Sequence, residues 1–135
     1  MITGLAHVSI VVPSLDAAAE RLRAAYGLAI GEVKVNAEQG VRMAYVELGN
    51  ARLEIMEPSR PDSPVAKFLE RNPAGGIHHF SLQVDDVAGT VGDMQAKGVR
   101  VLGEGRLGRN VHGQPIAFVH PKDFLGALVE LEPGH

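Results

Sequence analysis

Cysteine and tryptophan are both missing from this chain of 135 residues, and each absence closes off chemistry. Without cysteine there is no disulfide, thiolate zinc site, iron–sulfur cluster or cysteine nucleophile. Two Tyr and four Phe leave little surface on which single-stranded bases could stack. A net charge of -3 with no Lys/Arg cluster gives no footprint for nucleic acid. No apolar run approaches the roughly 18 residues a membrane span needs. The opening MITGLAHVSIVV has no basic region ahead of its apolar stretch, so no signal peptide is expected and a cytoplasmic location is. What remains is a composition with 45% hydrophobic residues, enough for a folded core, and six histidines. The length argues for one domain over 1–135.

The chain repeats itself. AHVSIVVPSLD from Ala6 aligns with HHFSLQVDDVA from His78, so that His7 falls on His79, Ser9 on Ser81 and Val12 on Val84. Later in each half, RLEIMEP (Arg52–Pro58) resembles LVELEP (Leu128–Pro133), and Glu54 falls near Glu130. Two matches at nearly one spacing point to a duplicated module.

Periodicity gives the module its form. Residues 5–12 alternate as a strand, with Ala6, Val8, Ile10 and Val12 on one face and His7, Ser9 and Val11 on the other. Ser14 and Asp16 offer N-caps to a helix through Leu15, Leu22 and Tyr26 that Gly27 stops. Strands are expected over 31–35, 41–48 and 51–57. The second half repeats the order: a strand over 77–84, caps at Asp85 and Asp86, a helix through Val87, Val91 and Met94 to Gly98, then strands near 99–102, 115–120 and 126–132. The expected class is α+β, with two βαβββ modules, one about 1–58 and the other 77–133. They are joined by a 59–76 linker in which Ser63 and Pro64 open a short helix. Modules this small are expected to share one core.

Alternation turns the repeat into chemistry. His79, Ser81 and Gln83 share one strand face, as His7 and Ser9 do; Glu54 and Glu130 each point away from the apolar residues of their strands. If a pseudo-twofold axis relates the halves, His7, Glu54, His79 and Glu130 converge, and two imidazoles with two carboxylates suit a divalent ion. Against this, a lone strand histidine is ordinary surface, and Glu54 between Arg52 and Glu57 reads equally as part of a solvated sheet face. His78 falls on the apolar face and reads as a packed histidine. His112, His120 and His135 have no match in the other half. Gly103–Gly108 spells G-x-G-x-x-G, but Asn110, Gly113 and Pro115 follow where a dinucleotide site needs a helix, so it reads as a flexible loop.

The residues resemble the vicinal-oxygen-chelate superfamily, which includes glyoxalase I, extradiol dioxygenases and bleomycin-resistance proteins. Within it they are similar to the methylmalonyl-CoA epimerases, through Glu38–Val41, Val46–Asn50, Leu53–Pro58, Asp62–Leu69, Gly75–His79 and His120–Asp123. These segments run across nearly the whole chain. The resemblance implies a glyoxalase-like fold with a metal-binding cup and epimerisation of (R)- and (S)-methylmalonyl-CoA through an enolate. It implies His7, His79 and Glu130 as metal ligands with Glu54 in the fourth position. It further implies one divalent ion per chain (Co2+ foremost; Mn2+, Mg2+, Zn2+ or Ni2+ compatible), an acyl-CoA substrate and a homodimer. Glu130 is the expected base, with Glu54 or Glu47 as the opposing acid, and Lys122 is a candidate for the CoA phosphates on charge alone. Some epimerases carry a catalytic glutamate where this chain has Met43, so that base is not carried over. The same ligands would also serve a glyoxalase I-like lyase or an Fe(II) dioxygenase, and the fold a metal-free small-molecule-binding protein.

Overall fold

The computed structural model describes residues 1–134. Eight strands and three helices follow the order β1 (Ile2–Val11), α1 (Leu15–Tyr26), β2 (Lys34–Asn36), β3 (Val41–Glu47), β4 (Arg52–Pro58), α2 (Pro64–Arg71), β5 (Gly76–Val84), α3 (Val87–Ala96), β6 (Gly108–Arg109), β7 (Pro115–Val119) and β8 (Val129–Pro133). The chain forms two compact units, one from Met1–His7 with the residues from His79 on, the other from Val8–His78. Strands β1 and β5 thus each contribute to both.

In the unit formed by Val8–His78 the strand order is β2-β3-β4-β1. Strands β3 and β4 form an antiparallel hairpin in which Met43 faces Met56, Tyr45 faces Glu54 and Glu47 faces Arg52. Helix α1 starts where Ser14, in an extended conformation, accepts a hydrogen bond from the Ala17 N–H (3.1 Å), and Glu57 on β4 accepts from the Leu15 N–H (3.1 Å). These bonds satisfy donors that a helix start otherwise leaves open. Gly27, with φ at +66°, takes the left-handed turn that ends the helix. Leu15, Val46 and Ile55 form the core, with Leu22, Leu28 and Ile30 against it. Ser63 caps α2 and Pro64 occupies its first turn, as the sequence predicts.

In the other unit the order is β1-β5-β8-β7-β6, with β8 parallel to β5 and antiparallel to β7. Asp86 caps α3 through the Gly89 N–H, and α3 packs Val87 and Val91 onto Val84, Ala117, Val119, Val129 and Leu131.

Several expected boundaries move. The strand expected at 99–102 is a single bridge from Val101 to Val119. The His120 N–H to Arg100 carbonyl bond (2.9 Å) belongs to that bridge, but the Arg100 N–H is taken by the Asp123 carboxylate (2.8 Å), so the ladder extends no further. The second module's second strand is instead the two-residue β6, which starts at the last glycine of the G-x-G-x-x-G. Leu102–Gly105, overlapping its start, forms a tight 3-10 turn with Gly103 and Glu104 at positive φ, and no α-helix follows it. Strand β8 begins at Val129 rather than 126, because Leu125 and Gly126 are both left-handed. Strand β2 shifts to 34–36, and α3 ends at Ala96, two residues short of Gly98.

Candidate metal centre

Strand direction sets which side chains meet. The Asp85 N–H donates to the Met1 carbonyl and the Thr3 hydroxyl to the Gln83 carbonyl (3.3 Å each), so β1 and β5 run antiparallel and His7 comes opposite His79. Their ring centroids lie 5.6 Å apart, the planes inclined by 70°. The parallel register of β8 beside β5 sets Glu130 next to Ser81 and Glu132 next to Gln83. Alternation then aims His79, Ser81, Glu130 and Glu132 to one side of the sheet.

That side is not solvated. His7 is 2% exposed, His79 5%, Glu130 7% and Glu132 2%. Glu130 Oε1 lies 3.3 Å from His7 Nε2 and 3.9 Å from His79 Nε2, while Glu132 Oε1 lies 2.8 Å from His7 Nδ1. The Ser81 hydroxyl donates to the same Glu132 oxygen at 2.6 Å. Phe118 packs its ring edge-on to His79, centroids 5.2 Å apart. Burying carboxylates and imidazoles costs several kcal/mol per uncompensated charge, and apolar residues of equal volume would often be more stable. Such a cluster is the mark of a functional site.

The donor set fits a divalent cation. Neighbouring ligands of an ion bound at about 2.1 Å stand about 3 Å apart. Glu130 Oε1 stands 3.3 Å from His7 Nε2, close to that value, and 3.9 Å from His79 Nε2, a little beyond it. Imidazole and carboxylate together suit zinc, cobalt, nickel or manganese.

Glu54 is half-buried on β4, in the unit formed by Val8–His78, and accepts a 2.5 Å hydrogen bond from the Ser9 hydroxyl. Glu47, at the end of β3, is exposed, with its carboxylate 3.6 Å from Arg52, whose guanidinium lies 4.0 Å over the Tyr45 ring. Met43 is buried. Lys122 is exposed on the 3-10 turn Pro121–Asp123, and its backbone N–H donates to His120 Nδ1 (3.1 Å). His78 stacks edge-on with Phe68 (5.3 Å), and burial lowers its pKa. His112 is exposed, and His135 lies outside the described residues.

Glu132 is the residue that the repeat does not disclose. Met56 stands at the matching place in the first module, so a search for pairs passes over it. Its signal is local: Glu130-Leu131-Glu132 places two carboxylates on one face of a strand.

A family model for the glyoxalase/bleomycin resistance protein/dioxygenase superfamily matches residues 6–118. The chain is 44% identical over 132 residues to the ethylmalonyl-CoA/methylmalonyl-CoA epimerase of Cereibacter sphaeroides, covering 98% of each. It is 42% identical to the human mitochondrial methylmalonyl-CoA epimerase, covering 95% of this chain and 72% of that protein. Among solved structures, a Streptomyces coelicolor methylmalonyl-CoA epimerase in complex with 2-nitronate-propionyl-CoA matches at 38% identity and a TM-score of 0.90, over 99% of this chain and 96% of the other. The chain therefore belongs to the glyoxalase superfamily and, within it, to the methylmalonyl-CoA epimerases. Among the described residues no helix is long and apolar enough to cross a membrane.

Proposed function

We propose that this chain interconverts the (R) and (S) epimers of methylmalonyl-CoA by moving the proton on the carbon between thioester and carboxylate. The observation that carries this reading is the buried Glu130 carboxylate, one oxygen of which faces Nε2 of both His7 and His79. It stands in a chain that matches enzymes named for this substrate over nearly its whole length.

Such a proton is far less acidic than a free carboxylic acid, whose pKa is about 4.3, so Glu130 needs help to remove it. His7, His79 and Glu130 would hold a divalent ion, with Glu54 as fourth ligand and cobalt as the first expectation. Bound there, the ion supplies Lewis-acid stabilisation for the negative charge that develops on the thioester and carboxylate oxygens. Glu130 accepts the proton from one face of the carbon, and Glu54 returns one from the other; in the reverse direction their roles exchange. The support for Glu54 is the repeat, since it occupies on β4 the position of Glu130 on β8, and its Ser9 hydrogen bond, which fixes its carboxylate. The exposed Glu47, beside Arg52, suits the role less. Lys122, an exposed cation on a short turn, is assigned to the CoA phosphates. A homodimer in the cytoplasm belongs to the same proposal and rests on family resemblance.

Incubation of (S)-methylmalonyl-CoA in deuterated water tests the reading. The expected outcome is racemisation with deuterium at the α-carbon, and loss of both by at least about 100-fold in Glu130→Gln. Absence of racemisation in the metal-loaded chain would overturn it.

A further inference from the structure

Three features of the molecule stand outside the proposed reaction: the apolar side chains Ile2, Leu5 and Leu125 on the surface, the basic loop carrying Arg106 and Arg109, and the buried pair Ser81–Glu132. The third has a built geometry. Glu132 is 2% exposed, receives the Ser81 hydroxyl at 2.6 Å, and sets the same oxygen 2.8 Å from Nδ1 of His7. The other nitrogen of that ring, Nε2, is the one that stands 3.3 Å from Glu130 Oε1.

We infer that Glu132 is a positioning residue: held by Ser81, it keeps the proton of His7 on Nδ1 and turns Nε2 toward the ion. This rests on the metal-dependent reading above. An imidazole in water exchanges its proton between the two nitrogens and rotates about its side-chain torsions. A carboxylate at Nδ1 selects the tautomer whose Nε2 lone pair can coordinate, and raises the basicity of that nitrogen. Ser81 matters because the carboxylate must itself be fixed, and a short hydroxyl–carboxylate bond does that. In the first module Met56 stands where the second has Glu132. Glu132 lies two residues from Glu130, which raises the rival assignment that it is itself a ligand to the ion.

Titration of the metal-free full chain with Co2+, read by competition with a chelating dye, measures the affinity. Proton NMR of the Co2+-loaded protein in water identifies shifted, exchangeable imidazole N–H resonances. The wild type is expected to show a slowly exchanging, shifted resonance from the Nδ1–H of His7. Glu132→Ala is expected to bind Co2+ about 10–100-fold more weakly and to lose that slow exchange, while Glu132→Gln, which keeps an acceptor oxygen, recovers part of both. If Glu132→Ala does not fold, Ser81→Ala decides, with an expected weaker binding and faster exchange in the same direction. Co2+ affinity within twofold of wild type and unchanged exchange in the folded variant would overturn the inference. So would Glu132→Gln failing to recover either property, the result expected of a direct ligand. A wild type that binds no Co2+ overturns the metal-dependent reading itself, which separates the two failures.

Discussion

His7 and His79 face each other across the antiparallel strands β1 and β5, ring centroids 5.6 Å apart, and a single oxygen of Glu130 lies near Nε2 of both. The three groups come from three strands of one unit, so their spacing is set by sheet geometry rather than by loops. Adjacent strands stand about 4.8 Å apart, and the pleat points alternate residues to one side. A sheet is a rigid mount for a ligand set, and the hydrophobic packing of its opposite face can be altered separately.

That separation is testable with two substitutions on opposite faces. Leu131 lies between Glu130 and Glu132 but is fully buried in the apolar core against α3. Leu131→Ala is expected to cost about 2–5 kcal/mol of stability while leaving a stoichiometric divalent ion in the folded fraction. His7→Ala should do the reverse, losing the ion with a smaller stability change in the metal-free protein. Chemical denaturation and metal analysis of both variants provide the check. Retention of the ion by His7→Ala would contradict the assignment.

Gly75 is held by its surroundings as much as by its conformation. Its φ is +90°, and a Cβ built there runs into the carbonyl oxygen of Val11 within the same unit. A side chain therefore meets both backbone strain and a collision with main chain that cannot swing away. Gly75→Ala is expected to destabilise the protein by about 2 kcal/mol or more, read by urea denaturation. A neutral result would mean that the strand start at Gly76 can shift without cost.

How far the sequence discloses this site depends on which residues are asked about. His7 and His79 are legible because alternation and duplication agree on them. Glu130 is legible for the same reason. Glu132 is not, because duplication is the wrong filter for a residue whose counterpart is Met56. The burial of the polar face is also hidden. A run such as His79-Phe80-Ser81-Leu82 alternates like a half-solvated strand, and only tertiary packing covers its polar side. The failed strand at 99–102 has another cause. Val99-Arg100-Val101 has the right alternation, yet Asp123 takes the Arg100 N–H with a charge-assisted bond that a strand partner would otherwise receive.

The same Arg100–Asp123 pair gives a prediction in pH. Hydrogen bonds from the Arg100 side chain, then from its backbone, hold the Asp123 carboxyl at about 2, against an ordinary value of 3.8. A folded-state pKa below the unfolded one means that the ionised carboxylate stabilises the fold above about 3.8. That contribution disappears as the pH falls through about 2. Arg100 is exposed and Asp123 partly so, and solvent screening keeps the effect small. Comparing the Tm of wild type and Asp123→Asn from pH 5 to pH 2 should show a wild-type advantage that shrinks toward the acid end. An advantage independent of pH would assign the effect to packing instead.

Glu54 and Glu47 provide the sharpest test of how the second proton is delivered. Both point to the same side of the β3–β4 hairpin, because Glu54 faces Tyr45 and Glu47 faces Arg52 in its register. They differ in their surroundings. Ser9 holds the half-buried carboxylate of Glu54 at 2.5 Å, whereas Glu47 is exposed beside an arginine that screens it. A group that delivers a proton to carbon must be fixed within hydrogen-bond reach of it, and one on the solvated end of a strand has neither constraint nor shelter from water. Glu54→Gln is therefore expected to lower kcat for racemisation by about 100-fold or more, and Glu47→Gln by less than about threefold. Single-turnover measurement of deuterium uptake from each epimer refines this. With Glu54→Gln, uptake should continue on the face served by Glu130 and fail on the other, so that exchange without inversion exceeds inversion. Equal loss of exchange and inversion would make Glu54 a ligand alone, and a large effect in Glu47→Gln would move the second acid to the end of β3.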